Sequence, residues 1–367
     1  MSWSFRLGKF FGTDVYIHFT FVLLLGFIGL SHWMQTREVL EAVIGVAFFA
    51  ALFGCVLLHE FGHVLTARKY GVQTRDITLL PIGGVARLER MPEKPIQEFW
   101  VALAGPAVNV VIAGLLAVYL IATSSMEPLG NLSLVGGSFL NRLLVVNVMI
   151  VVFNLLPAFP MDGGRVLRAL LAMRMDYSRA THIAARLGQF MAIVFAFVGL
   201  FWNPFLVFIA LFVWIGAAQE SGMVQMKSAL SGLPMKRLMI TDYRSLAPTD
   251  PLSSAVDHIL AGFQQDFPVI DADGTLVGML TRADLITALA EHGQERMVSE
   301  VMQREFQTAD PHDMAENVME RLHECQCRSL PVLQDNRLIG ILTAENLGEF
   351  LMIQTALHRK PAPEVAV

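Results

Sequence analysis

His59, Glu60 and His63 stand inside an apolar run that begins near Val39 and reaches Ala67. An ionisable group placed in a bilayer costs about 2.5–3.5 kcal/mol on insertion scales, so three within Leu57–His63 need a compensating partner. At 3.6 residues per turn, His59 and His63 lie one above the other on a single helix face. Two imidazoles at that spacing can hold one Zn²⁺, and Glu60 beside them is a candidate general base. The competing reading is a helix end that emerges into water, with the polar residues marking the interface.

Composition supports a membrane setting. Apolar residues make up 54% of the 367, charged residues 16%, and the mean hydropathy is +0.53. Ordinary globular chains carry about 25% charged residues. The apolar stretches fall within residues 1–220, whereas 233–367 reads as a soluble domain. A net charge of −5 argues against a nucleic-acid partner. Arg6 and Lys9 precede the first apolar run and no small-residue cleavage site follows it, which reads as a retained anchor. Cys55 lies in a span; Cys325 and Cys327 are expected on one helix, where i and i+2 do not face each other, so no structural disulfide is expected.

A bilayer core of about 30 Å needs about 20 apolar residues per helix. The candidate spans are 16–34, 39–66, 100–123 and 140–159, followed by 187–201 and 204–219, split at Asn203-Pro204 because proline breaks a helix. One long kinked helix is the alternative for the last two, making five spans rather than six. Basic residues set the orientation. Arg68, Lys69, Arg75, Arg87, Arg90 and Lys94 follow the second span, and Arg165, Arg168, Arg174, Arg179 and Arg186 follow the fourth. Ser124–Gly137 has no Lys or Arg. A cytoplasmic N-terminus is therefore expected, with His59–His63 near the cytoplasmic end of the second span. With six spans the C-terminal domain is cytoplasmic too.

Ile77–Leu88 is too interrupted for a span and reads as two strands joined at Gly83-Gly84. Bare strands cannot face lipid, so this hairpin must be covered by protein or line a wet cavity. Gly105-Pro106-Ala107-Val108-Asn109, in the third span, reads as a close helix contact in which Asn109 can bond across helices. The fourth span ends in Asn154-Leu-Leu-Pro157-Ala-Phe-Pro160-Met161-Asp162-Gly163-Gly164. Its break lies at the depth expected for His63, which makes Asp162 the best carboxylate for a third metal ligand. Asp162 alone also fits an N-cap. Asn154 either satisfies a backbone group or points at a substrate carbonyl.

His59-Glu-Phe-Gly-His63, with Asn154-x-x-Pro157 and Asp162-Gly163, and with the Gly83-Gly84 loop and Gly105-Pro106-x-x-Asn109, resembles the site-2 protease family of intramembrane zinc peptidases over residues 1–220. The resemblance implies one Zn²⁺ on His59, His63 and Asp162, Glu60 as the base, and cleavage of a transmembrane segment near the cytoplasmic face. It also implies a single-span substrate: a membrane-held transcription factor, a sigma or anti-sigma factor, or a remnant signal peptide. In such a site Glu60 takes a proton from water and passes it to the leaving amine. The Ile77–Leu88 hairpin offers an edge on which an unwound substrate can extend.

Ser221–Pro234 reads as a linker. Beyond it the chain repeats. Leu238-Met239 matches Val301-Met302 and Phe267-Pro-Val-Ile270 matches Leu330-Pro-Val-Leu333, both at an offset of 63. Leu276–Thr281 matches Leu338–Thr343 at 62, one residue having been lost at the intervening turn. The two units, 235–291 and 292–356, resemble a tandem of CBS domains (a Bateman module). That resemblance implies an AMP or ATP cleft, with Thr281 and Asp284 in one half-site and Thr343 in the other. There Asn346 replaces the acidic residue, so at most one half-site is expected to be competent. It also implies homodimer formation. A disordered tail is expected at 357–367.

The expected architecture is thus a polytopic α-helical membrane domain of about six transmembrane helices, followed by a cytosolic α/β CBS pair. The expected activity is zinc-dependent intramembrane proteolysis under nucleotide control. A CBS-regulated transporter or channel is the rival, as is a proteolytically silent metal-binding scaffold. The rival channel would spread its polar residues over several helices, whereas here they converge on two places.

Overall fold

Thr13, Val15 and Ile17 alternate with polar or half-buried neighbours, and this period of two makes a strand rather than the first turns of a helix. In the computed structural model, which describes residues 3–81, 83–88, 94–127, 137–262, 264–325 and 327–358, β1 (Ser4–Phe10) and β2 (Thr13–His18) form a hairpin. The first span therefore begins at Phe19, three residues later than Tyr16, and His18 caps it by accepting from the Thr20 amide. β2 pairs in parallel with β3 (Thr74–Leu80), and β3 pairs antiparallel with β4 (Gly83–Leu88). The sheet order is β1-β2-β3-β4, which leaves β4 at one edge.

Five helices among the described residues are long and apolar enough to cross a membrane. They are α1 (Phe19–Thr36), α2 (Val39–Lys69), α3 (Pro95–Ala122), α6 (Tyr177–Phe201) and α7 (Phe205–Leu230). α4 (Phe139–Asn154) is apolar but shorter. It stops at Asn154 rather than reaching Phe159, because Pro157 and Pro160 break the helix that the apolar run would otherwise continue. α6 and α7 are separate helices, parted at Trp202–Pro204. Phe27, Leu115, Val118 and Leu200 are exposed on these helices, as lipid-facing positions require.

α7 runs on to Leu230, through most of the stretch read as a linker. That stretch is rich in Met, Gln, Lys and Ala, and Gly222 alone does not stop a helix that tertiary contacts support. The chain divides into two compact units, Met1–Val224 and Gln225–Val367. The expected tail lies outside the described residues from 359 onward.

The second unit contains α8 (Leu252–Ala261), β5 (Phe267–Ile270), β6 (Leu276–Leu280) and α9 (Arg282–His292). The set recurs as α10 (Ala315–Cys325), β7 (Ser329–Gln334), β8 (Arg337–Thr343) and α11 (Ala344–His358). The parallel bridges Leu246–Val269 and Ala309–Val332 repeat at the same offset. The lost residue falls in the β7–β8 turn, where Asp335 and Asn336 both take positive φ, as a two-residue hairpin turn demands.

The repeats exchange their opening segments. Met235 and Leu238 pack with Val318, Leu330 and Leu342 in the second core. Val298 and Met302 pack with Phe267, Val269 and Leu285 in the first. Cys325 and Cys327 are joined by a disulfide, contrary to expectation. α10 ends at Cys325, so the two are not on one helix, and their Cα atoms stand 5.1 Å apart, within bridging range.

Candidate metal centre

The histidines enter the site from α2, and the third group comes from the first turn of α5 (Asp162–Ala172). His59 Nε2 and His63 Nε2 are 3.1 Å apart, and Asp162 Oδ2 lies 3.1 Å from the first and 3.2 Å from the second. All three residues are buried. His63 Nδ1 donates to the carbonyl of Val101, so the neutral ring turns an unprotonated Nε2 inward. His59 Nδ1 lies 2.6 Å from Asn109 Oδ1, which accepts from it in the same way.

Two lone pairs and a carboxylate oxygen therefore face one another out of water, an arrangement that repels unless a cation lies between them. Ligands about 2.0–2.1 Å from a tetrahedral Zn²⁺ stand about 3.3 Å from each other. The residues present fit that ion in identity, protonation and spacing.

The surroundings hold this geometry. Gly105 of α3 packs against the two imidazoles so closely that a Cβ there would come within 2.7 Å of His59 Nε2 and nearer still to His63. Pro106 follows it and removes one helical hydrogen bond beside the Val101 carbonyl used by His63. Glu60, next to His59 on α2, is half-buried. Gly84 of β4 lies against it; a Cβ there would stand 2.7 Å from Glu60 Cγ.

α5 is anchored by Arg168, whose side chain is 1% exposed. Its Nε donates to Glu98 Oε1 of α3 at 2.7 Å, its Nη1 donates to Glu220 of α7, and its guanidinium lies over the rings of Phe159 and Tyr177. An arginine that reads in sequence as a marker of orientation is thus a buried tie between three helices. Asn154 Nδ2 donates to Ile150 O of its own helix at 3.0 Å, the backbone-satisfying alternative for this residue.

Residues 47–195 match peptidase family M50, and residues 235–291 and 298–352 each match the CBS domain. A zinc metalloprotease of Methanocaldococcus jannaschii is 33% identical over 318 residues, which cover 86% of this chain and 87% of that protein. The chain belongs to peptidase family M50. The solved site-2 protease of M. jannaschii is 37% identical and is matched over 60% of this chain and 95% of that one, with a TM-score of 0.44. A CBS domain-containing protein of Bacillus subtilis is 28% identical over 116 residues, 31% of this chain and 82% of that protein. This M50 peptidase is a multi-pass membrane metalloprotease with a tandem CBS module.

In that CBS module Thr281 and Asp284 line a cavity of about 910 Å³ together with Arg282, Ser329 and the Cys325–Cys327 bridge. Thr281 caps α9 and donates to Asp284 Oδ2 at 2.6 Å. Thr343 lines a second cavity of about 600 Å³. Asn346, the repeat counterpart of Asp284, is engaged elsewhere, donating to the Leu238 carbonyl, a bond that an ionised aspartate cannot make. Asp266 lies between the two cavities and accepts from Ser329 Oγ at 2.8 Å. These two residues occupy equivalent places in the repeat. Sequence reasoning left unremarked the carbonyl of Val101, the Arg168 tie and the contact of Asn109 with a histidine. In sequence Asn109 showed as a group able to bond across helices, but its partner was not legible.

Proposed function

We propose that this M50 peptidase cuts a transmembrane segment of a membrane-anchored substrate. His59, His63 and Asp162 hold one zinc ion, and Glu60 is the general base. The convergence of three buried donors from two helical elements, each imidazole turned by its own acceptor, carries the reading. Zn²⁺ in such a site supplies Lewis acidity, which lowers the pKa of water toward about 7 and polarises a carbonyl. A carboxylate oxygen of Glu60 takes the proton of the attacking water and returns it to the departing amide nitrogen. Burial of the three donors keeps bulk water from competing for them.

A helical substrate hides its carbonyls and must be drawn out before it is cut. The free edge of β4 offers a ladder for an extended segment, and Gly83 and Gly84 leave room for it beside Glu60. Asn154 contributes a polar group to the substrate if its side chain turns from Ile150.

The substrates are single-span proteins: membrane-held transcription factors, anti-sigma factors or remnant signal peptides. The basic residues after α2 and α4 favour a cytoplasmic N-terminus and a cytoplasmic CBS module. AMP or ATP bound at Thr281 and Asp284, with a weaker or silent half at Thr343 and Asn346, regulates the protease, and CBS pairs from two chains associate.

Glu60→Gln tests the central reading. The variant is expected to retain zinc at the wild-type stoichiometry and to lose cleavage of a membrane-embedded substrate. Cleavage by that variant, or wild-type protein purified without zinc, overturns it. Equilibrium dialysis with AMP and ATP tests the regulatory part, and failure to bind at millimolar nucleotide removes it.

A further inference from the structure

Asn147 is fully buried in α4, two turns before the helix ends, among apolar neighbours. A buried amide without partners is destabilising, so its bonds require an account. Asn147 Nδ2 donates to the Leu143 carbonyl at 2.9 Å and approaches Cys55 Sγ at 3.4 Å. Its Oδ1 accepts from Asn109 Nδ2 at 2.8 Å. Asn109, equally buried, turns its Oδ1 to His59 Nδ1.

The direction of this chain is forced from one end. A helix carbonyl only accepts, so Asn147 must offer it the NH₂ and turn its oxygen toward Asn109. Asn109 must then donate to that oxygen and keep its own for the imidazole. His59 Nδ1 therefore carries the hydrogen, and Nε2 presents a lone pair to Asp162 and His63. A group attached to a ligand's far nitrogen fixes tautomer and ring orientation.

We propose that Asn147 is a positioning residue for His59, acting through Asn109, so that α4 sets the tautomer of a ligand carried by α2. This rests on the reading of His59 as a zinc ligand.

Zinc affinity of the full-length protein in detergent, measured by competition with a chromogenic chelator, tests it. Asn109→Leu is expected to weaken zinc binding about 10- to 100-fold, and Asn147→Leu about tenfold, at the lower end of the same range. The double variant is expected to bind no more weakly than Asn109→Leu alone, because both changes cut one chain. Asn147→Asp, whose buried carboxyl stays protonated and offers the same donor and acceptor, is expected to restore affinity to within about threefold of wild type.

Wild-type affinity in Asn147→Leu, or losses that add in the double variant, overturn the proposal. If Asn147→Leu does not fold, loss of zinc in a folded Asn147→Asp does so instead. Failure of the wild type to bind zinc strikes the ligand reading itself, so the two failures are distinct.

Discussion

Gly105 turns its bare Cα toward His63, and a methyl group built there would overlap Nε2. Relieving that overlap displaces His63 from its bond to Val101 O or from its place beside His59. Gly105→Ala is therefore expected to lower the zinc content of purified protein at least about tenfold, by the same loss of ligand placement that outer-shell changes cause. Gly54→Ala and Gly114→Ala, with nothing within 4 Å of the added atom, are expected to leave metal content unchanged.

Arg168 and Glu98 are paired in a setting where neither reaches water. Removing one partner strands the other charge, at a cost of about 3–5 kcal/mol. Arg168→Met is expected to lower the thermal midpoint of unfolding in detergent by several degrees. Adding Glu98→Leu to it is expected to recover part of that loss, since the stranded carboxylate is gone.

The two halves of the CBS module are not equivalent. Thr281 and Asp284 both line one cavity, whereas Asn346 is tied to Leu238. Thr281→Val is expected to weaken AMP binding by about 1 kcal/mol, roughly fivefold, as the loss of one hydrogen bond does. Thr343→Val is expected to change it less. Isothermal titration of the detergent-solubilised protein measures both.

The exchanged segments make the repeats interdependent. A fragment ending at residue 291 lacks Val298 and Met302, which complete the core around Phe267 and Leu285. It is expected to give no cooperative unfolding transition, whereas residues 225–358 are expected to give one. Circular dichroism during thermal denaturation distinguishes them.

Burial pushes the carboxyl of Asp313 up, but the amide of Asp310 and the guanidinium of Arg321 outweigh it and hold the group below its ordinary value of 3.8. A depressed carboxyl stabilises the fold above its unfolded pKa, and that contribution fades as pH falls through the folded one. The side chain is 35% exposed, so the contribution is small, under about 1 kcal/mol. Asp313→Asn in the 225–358 fragment is expected to lower stability slightly at neutral pH and to flatten its fall below pH 4, so that variant and wild type converge at low pH.

The grouping of His59, His63 and Asp162 was legible because two independent signals met. His59 and His63 had helical spacing, and the Pro- and Gly-broken chain before Asp162 lay at matching depth. The CBS repeat was legible through its constant offset and the single slip at a turn. What escaped had no periodic signature. Tyr16 and Ile17 merged into the apolar run of α1, although Thr13, Val15 and Ile17 alternate. Ser221–Leu230 looked like a linker because polarity was weighed above helix propensity. Asn109 was seen as helix packing, since only tertiary structure brings an α3 amide to an α2 imidazole. The pairing of Cys325 with Cys327 depended on where α10 stops, a boundary that sequence leaves loose by one or two residues.

The parallel pairing of β2 with β3 has a consequence for biogenesis. Between those strands the chain runs out along α1 and back along α2, so the ladder cannot close until both helices have been inserted as a hairpin. Before that moment β4, which hangs on β3, has no register, and Glu60 has no strand beside it. A chain whose second helix is not yet in place therefore lacks the strand that lies against Glu60, so the order in which α1 and α2 pack decides when that carboxyl gains its neighbour.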